Sequence, residues 1–174
     1  MSETLKVLCE RRSVRKYKKK QIKKEELKAV LTAGTYAASG MGAQSAKIVV
    51  VQDQEIIAKL SAMNAGIMGQ EGTDPFYGAP TVCIIFADSK RPTYLEDGSL
   101  VIGNMMNAAH ALSLGSCWIH RAKEEFRTTY GKELMKKWGL SEDYVGVGHC
   151  ILGYPVEKAK KAAPRKADYI IYDK

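Results

Sequence analysis

The chain has no run of apolar residues approaching the ~18 needed to span a bilayer, and its first residues, MSETLKVLCERR, lack the apolar core and small-residue cleavage site of a secretion signal. A membrane-spanning or secreted protein is therefore not expected, and the reading is cytoplasmic. Cysteine is sparse: Cys9, Cys83, Cys117 and Cys150 are far apart, with no CxxC pair and no Cys/His cluster. That spacing argues against structural zinc or any other metal site. Cys83, Cys117 and Cys150 each lie inside an apolar run (TVCIIF, SCWI, GHCILG), which reads as three buried thiols in a reducing compartment. No GxGxxG follows a strand and no GxxxxGK[ST] is present, so neither a dinucleotide-binding fingerprint nor a P-loop is available.

What is present is an ordinary globular composition in 174 residues, 45% hydrophobic and 26% charged, enough for one domain with a core of its own. The charge is not evenly spread. From Arg11 to Lys28 there are ten Lys or Arg against two Glu, which accounts for the whole net charge of +8. Lysines 18, 19, 20, 23 and 24 suit a solvated surface. Arg11, Arg12, Ser13 and Arg15 differ in kind, because guanidinium forks bind phosphate in bidentate fashion and a serine hydroxyl adds a short donor. A second basic element, APRK (163–166), carries Arg165 near the far end, and Arg11, Arg15 and Arg165 could clamp one phosphate. A nucleic-acid surface is the competing reading of so basic a stripe, but Tyr17 is its single aromatic residue.

Periodicity predicts helices over 2–9, 24–38, 53–65, 97–114 and 123–138, the last broken near Gly131. Strands are predicted at 47–52, 81–88, 116–120 and 144–154, with Pro155 as a stop. The stretch GIMGQEGTDPFYGAP (66–80) is long and glycine-rich, the signature of a functional or mobile segment. Helix 97–114 is apolar on all sides and reads as central or interfacial. Residues 1–155 form the domain and 156–174 a polar, basic arm. That arm ends in the isolated YIIY (169–172), which needs a sheet edge to pair with.

The segment RRSVRKY resembles the opening signature of the nitroreductase family, an Arg-x-Ser-x-Arg/Lys segment that binds FMN. Further blocks follow in family order: ASGMGAQSAKIVVV (38–51), YGAPTVCIIFAD (77–88), GNMMNAAHALSLGSCWI (103–119), LSEDYVGVGHCILGYP (140–155) and APRK. Ala38, Gly42 and Ala46 stand where the family has Pro, Asn and Trp. The resemblance implies an α+β fold, a central mostly antiparallel mixed sheet flanked by helices, in an intertwined homodimer with the flavin at the subunit interface. It implies FMN as cofactor, NADH or NADPH as electron donor, and a nitroaromatic, quinone or related small molecule as acceptor. Neither nucleic acid nor membrane is an implied partner.

The same resemblance places Arg11, Arg12, Ser13 and Arg165 at the flavin phosphate and Arg15 toward either the phosphate or flavin N1/O2. It brings Ser39, Gly40, Met41 and Gln44 from the second subunit. Trp118, Ile119, His120 and Arg121 run along the ring edge, where a backbone N–H meets N5. The flavin carries the chemistry, so no side chain is assigned as a catalyst. A flavin-holding protein of the same superfamily with little turnover is the alternative.

Overall fold

A computed structural model describes residues 1–173. Four strands form one sheet in the order β1-β2-β4-β3: β1 (Ala46–Val51), β2 (Thr81–Asp88), β3 (Gly115–Ile119) and β4 (Tyr144–Gly153). All three pairings are antiparallel. A single parallel bridge, Ser13 to Ser116, attaches the basic N-terminal segment to the outer side of β3.

Alternation along β2 explains its unbroken apolar reading. Val82, Ile84 and Phe86 face one core, with Phe76, Leu60 and Phe126. Cys83, Ile85 and Ala87 face the other, with Val30, Ile102 and Met105. Successive strand side chains point to opposite faces, so a strand covered on both sides must be apolar throughout. Helices α3 (Gln54–Ile67), α5 (Ala122–Glu125) and α6 (Thr129–Lys137) contribute to the first core. Helices α2 (Lys24–Thr35) and α4 (Tyr94–Ala111) contribute to the second. Helix α1 (Glu3–Glu10) has no buried residue. Among the described residues no helix is long and apolar enough to cross a membrane.

The expected helices and core strands are all found, although α2 ends at Thr35 rather than 38 and α4 at Ala111 rather than 114, and three further differences stand out. Helix α4 starts at Tyr94 rather than 97, because Asp97 and Gly98 are buried within its first turns instead of marking its edge. The break in 123–138 falls at Phe126–Thr128, where the Thr128 hydroxyl accepts from the Gly131 N–H at 3.1 Å and starts a new helix. Gly131 itself is helical. A Cβ there would lie 2.2 Å from the Glu125 carbonyl oxygen, so its glycine serves the close approach of α6 to α5. Segment 66–80 is not a free lid. Asp74 accepts from the Ser61 hydroxyl at 2.6 Å and from the N–H groups of Phe76 and Gly78 at 2.9 and 2.6 Å, and Phe76 is fully buried.

Residues 156–173 contain no helix or strand. Tyr169, Ile170, Ile171 and Tyr172 are exposed, and none joins a strand pairing among the described residues.

Candidate active site

Helix α1 ends at Arg11, whose N–H closes on the Val7 carbonyl at 3.0 Å. The chain then extends along β3, the Val14 N–H bonding to the Ser116 carbonyl at 2.9 Å. Gly115 and Val14 touch closely enough that a Cβ at 115 would sit 2.9 Å from the Val14 side chain, so the basic segment lies flush against the strand. This fixes Arg11, Arg12 and Ser13 at one sheet edge. The Nη1 of Arg11 is buried and has no hydrogen-bond partner among the described residues. Arg12 bonds through Nη1 to the Arg11 carbonyl. Arg15 is exposed, as are lysines 18, 19, 20, 23 and 24.

A cavity of about 580 Å³ opens between this segment and the start of the arm. Arg12, His110, Ser113, Ser116, Lys158, Lys160 and Lys161 line it, together with Glu10 and Glu157. Arg165 does not reach it. Its Nε and Nη2 turn back onto the Ala163 carbonyl at 3.3 and 2.7 Å, so the expected clamp of Arg11, Arg15 and Arg165 is not assembled within one chain. Lysines 160 and 161 occupy that neighbourhood instead, in a stretch whose uniform polarity singled out no residue.

At the other end of β3 stand Trp118, Ile119, His120 and Arg121. Trp118 lies on Gly148 of the neighbouring strand. A Cβ at 148 would come within 2.9 Å of the indole, so only glycine admits the ring there. Trp118 thus belongs to the α2/α4 core, and Ile119 is buried in the other one. His120 is exposed, and Arg121 takes the left-handed conformation with φ of 76°.

Ser39, Gly40, Met41 and Gln44 lie on the opposite edge. They precede β1, and two strands separate β1 from β3. At ~4.8 Å per strand that is about 14 Å across the sheet. One chain therefore keeps the two groups of candidate residues apart. The 39–45 loop is stiff nonetheless. Met41 (φ 54°), Gly42 (φ 66°) and Gln44 (φ 48°) are all left-handed, and Met41 is completely exposed. The loop is fastened by a residue the sequence reading missed: Asp97, 3% exposed, accepts from the Gly40 N–H at 2.9 Å and the Ser45 hydroxyl at 2.7 Å. Ser39 Oγ accepts from the Gln44 N–H at 3.0 Å. A smaller cavity of about 340 Å³ lies against Ser39, Gln44 and Asp97.

Burial pushes the Asp97 carboxyl upward, but the bonds from Gly40, Ser45 and Thr93 outweigh it and hold it below the usual 3.8. A carboxyl depressed on folding stabilises above its unfolded value and loses that contribution as pH falls through its folded value. Asp97→Asn keeps one acceptor and leaves a Gly40 or Ser45 donor without a partner. The expected result is a Tm lower by several degrees at neutral pH, with a shallower loss of Tm below about pH 3.8 than the wild type shows. Thermal melts from pH 2 to 7 check this; identical acid slopes in both proteins would refute it.

The buried thiols offer no reactivity. Desolvation pushes Cys83 up to about 12 and Cys150 well above the ordinary thiol value, which leaves both protonated at neutral pH. Cys117 is buried and Cys9 is exposed. Among the described residues no group of three or more His, Cys, Asp or Glu could hold a metal ion.

The chain is similar to known proteins along most of its length. The family model described as "Nitroreductase family" matches residues 8–154. A protein of Archaeoglobus fulgidus, provisionally named NADH dehydrogenase/NAD(P)H nitroreductase, is 31% identical over 163 residues, covering 91% of this chain and 88% of its own. The crystal structure of a Bacteroides fragilis nitroreductase with bound FMN superposes with a TM-score of 0.90 at 28% identity, over the full length of both chains. An FMN-bound nitroreductase from Desulfitobacterium hafniense does so at 0.89 and 26%, again over both full lengths.

Proposed function

The chain belongs to the nitroreductase family, and we propose that it is an FMN-dependent oxidoreductase taking electrons from NADH or NADPH to a nitroaromatic, quinone or related acceptor. The observation that carries this reading is the Arg11 guanidinium, whose Nη1 is buried without a hydrogen-bond partner among the described residues, two residues before the Ser13–Ser116 bridge. A buried cationic donor left unpaired is expensive, and a ligand anion resolves it. A flavin monophosphate supplies the dianion, and Arg12, Ser13 and Arg15 stand in the same segment to share it. The basic lining of the adjoining cavity, Lys158, Lys160 and Lys161, favours the same charge.

Bound FMN would supply hydride acceptance and onward electron transfer. The protein's own part is to bind and orient. His120 and Arg121 line the ring edge in this reading, and the ring lies between subunits. Residues 39–44 sit on the opposite sheet edge from Arg11, so they serve the partner's site, with exposed Met41 as an apolar cover for its ring. Exposed leucines, Leu95 and Leu100 on α4 and Leu5 and Leu8 on α1, favour a homodimer. Residues 1–155 are the flavin-binding domain and 156–174 the arm that crosses to the neighbour.

The test has two steps. The purified protein is expected to show a flavin absorption band near ~450 nm, and to oxidise NADH or NADPH when given menadione or nitrofurazone. Yellow protein without turnover would favour a flavin-holding role. Colourless protein that takes up no FMN would overturn the proposal.

A further inference from the structure

Under the loop that joins β3 to α5 lies a chain of buried polar side chains that the proposed flavin site does not account for. Asn64, Glu125 and His149 are all completely buried. His149 Nδ1 lies 3.2 Å from the Ile119 carbonyl oxygen. A carbonyl only accepts, so Nδ1 carries the proton. Asn64 Nδ2 donates to the His120 carbonyl at 2.9 Å and also to Oε1 of Glu125, while Asn64 Oδ1 accepts from Nε of Arg121 at 2.9 Å. Glu125 Oε2 stands 3.2 Å from His149 Nε2, off the direction of a hydrogen bond.

The consequence is directional. Two consecutive carbonyls, of Ile119 and His120, are drawn inward by His149 and Asn64. The peptides are trans, and in a trans peptide the C=O of one residue and the N–H of the next point opposite ways. The N–H groups of His120 and Arg121 are therefore turned outward. Neither has an acceptor among the described residues. Arg121 is held in the left-handed region that a non-glycine residue enters only at a cost, and the Asn64 bond to its side chain helps keep it there.

We infer that Asn64, Glu125 and His149 are positioning residues that aim the His120 and Arg121 N–H groups at the bound redox ligand. This rests on the FMN reading above. They touch neither ligand nor reacting atoms. Their effect runs through the backbone of the loop, where a displacement of about 1 Å can change a rate by up to about a hundredfold.

The experiment compares wild type, Glu125→Met, Glu125→Gln and Asn64→Ala, each as FMN-loaded protein. Methionine fills the space of glutamate but cannot receive the Asn64 proton. Glutamine keeps an acceptor for Asn64 and a donor for His149 Nε2. Stopped-flow reduction at saturating NADH is expected to slow about tenfold or more in Glu125→Met and Asn64→Ala and to return to within about twofold of wild type in Glu125→Gln, with FMN Kd changed less than about threefold throughout. A second readout is independent of turnover: on FMN addition, the ¹⁵N–¹H resonances of His120 and Arg121 move in wild type and Glu125→Gln and stay in place in Glu125→Met. Should Glu125→Met not fold, Asn64→Ala carries the same comparison. Equal rates and amide shifts in wild type and the disabled variants would overturn the inference alone, and so would a Glu125→Gln protein as impaired as Glu125→Met. Wild-type protein that takes up no FMN would overturn the flavin reading together with it.

Discussion

Arg11→Ala protein is expected to leave the purification column colourless. The guanidinium it removes belongs to the half-buried residue that caps α1, and its Nη1 is buried with no acceptor among the described residues. A phosphate there would receive charge-assisted bonds of roughly 1.5–3 kcal/mol each. Two such bonds lost correspond to an increase in FMN Kd of roughly two to four orders of magnitude. Arg11→Lys keeps the charge but not the planar fork and should fall between. The same observation has an opposite sign without ligand. A buried Nη1 without a partner burdens the FMN-free fold, so FMN-free Arg11→Ala should melt no lower than FMN-free wild type. Titration of FMN into each protein, with melts on both, checks the pair. Retention of a flavin band by Arg11→Ala would remove the reason for placing the phosphate beside α1.

Deleting residues 167–174 is expected to split the dimer and release FMN together. Tyr169, Ile170, Ile171 and Tyr172 are exposed by 66–90% in the isolated chain, too much apolar surface to leave in water at the end of an arm. The sheet leaves one obvious place for it. The outer side of β3 is taken by the Ser13 bridge, whereas β1 pairs with β2 alone among the described residues. A tail strand added to the partner's β1 would satisfy both that edge and the tail. It would also come down beside the 39–45 loop, which precedes β1 and supplies the partner's half of the proposed site. Loss of the tail thus reaches the ligand through the second subunit. A truncated protein that sediments as a dimer and stays yellow would contradict this.

Most elements were legible in the sequence because their signals are local. TVCIIFAD reads as a strand covered on both sides, and Asp53 marks the start of α3, where its carboxylate accepts from the Glu55 and Ile56 N–H groups at 2.9 and 3.1 Å. The basic segment separated into arginines with an expected ligand and lysines facing solvent; in the structure Arg11 and Arg12 are half-buried, while Arg15 and lysines 18, 19, 20, 23 and 24 are exposed.

What escaped is non-local. Asp97 sits at the expected helix start, yet its carboxylate fastens the loop that holds Gly40 and Ser45. Glu125 follows another glutamate in AKEE and looks like surface; only the break after it, which turns α5 over α3, brings it against Asn64 and His149. Gly131 carries the composition of a breaker, whereas its role is to let α6 approach the Glu125 carbonyl.

The central claim is that two copies of the chain enclose FMN, Arg11 of one facing the 39–44 loop of the other. Sedimentation velocity recorded at 280 nm and in the flavin band tests it in one run. The account predicts a single boundary at the mass of a dimer, carrying one flavin per chain at both wavelengths. Flavin absorbance that sediments with a monomer, or stays behind as free FMN, would contradict it.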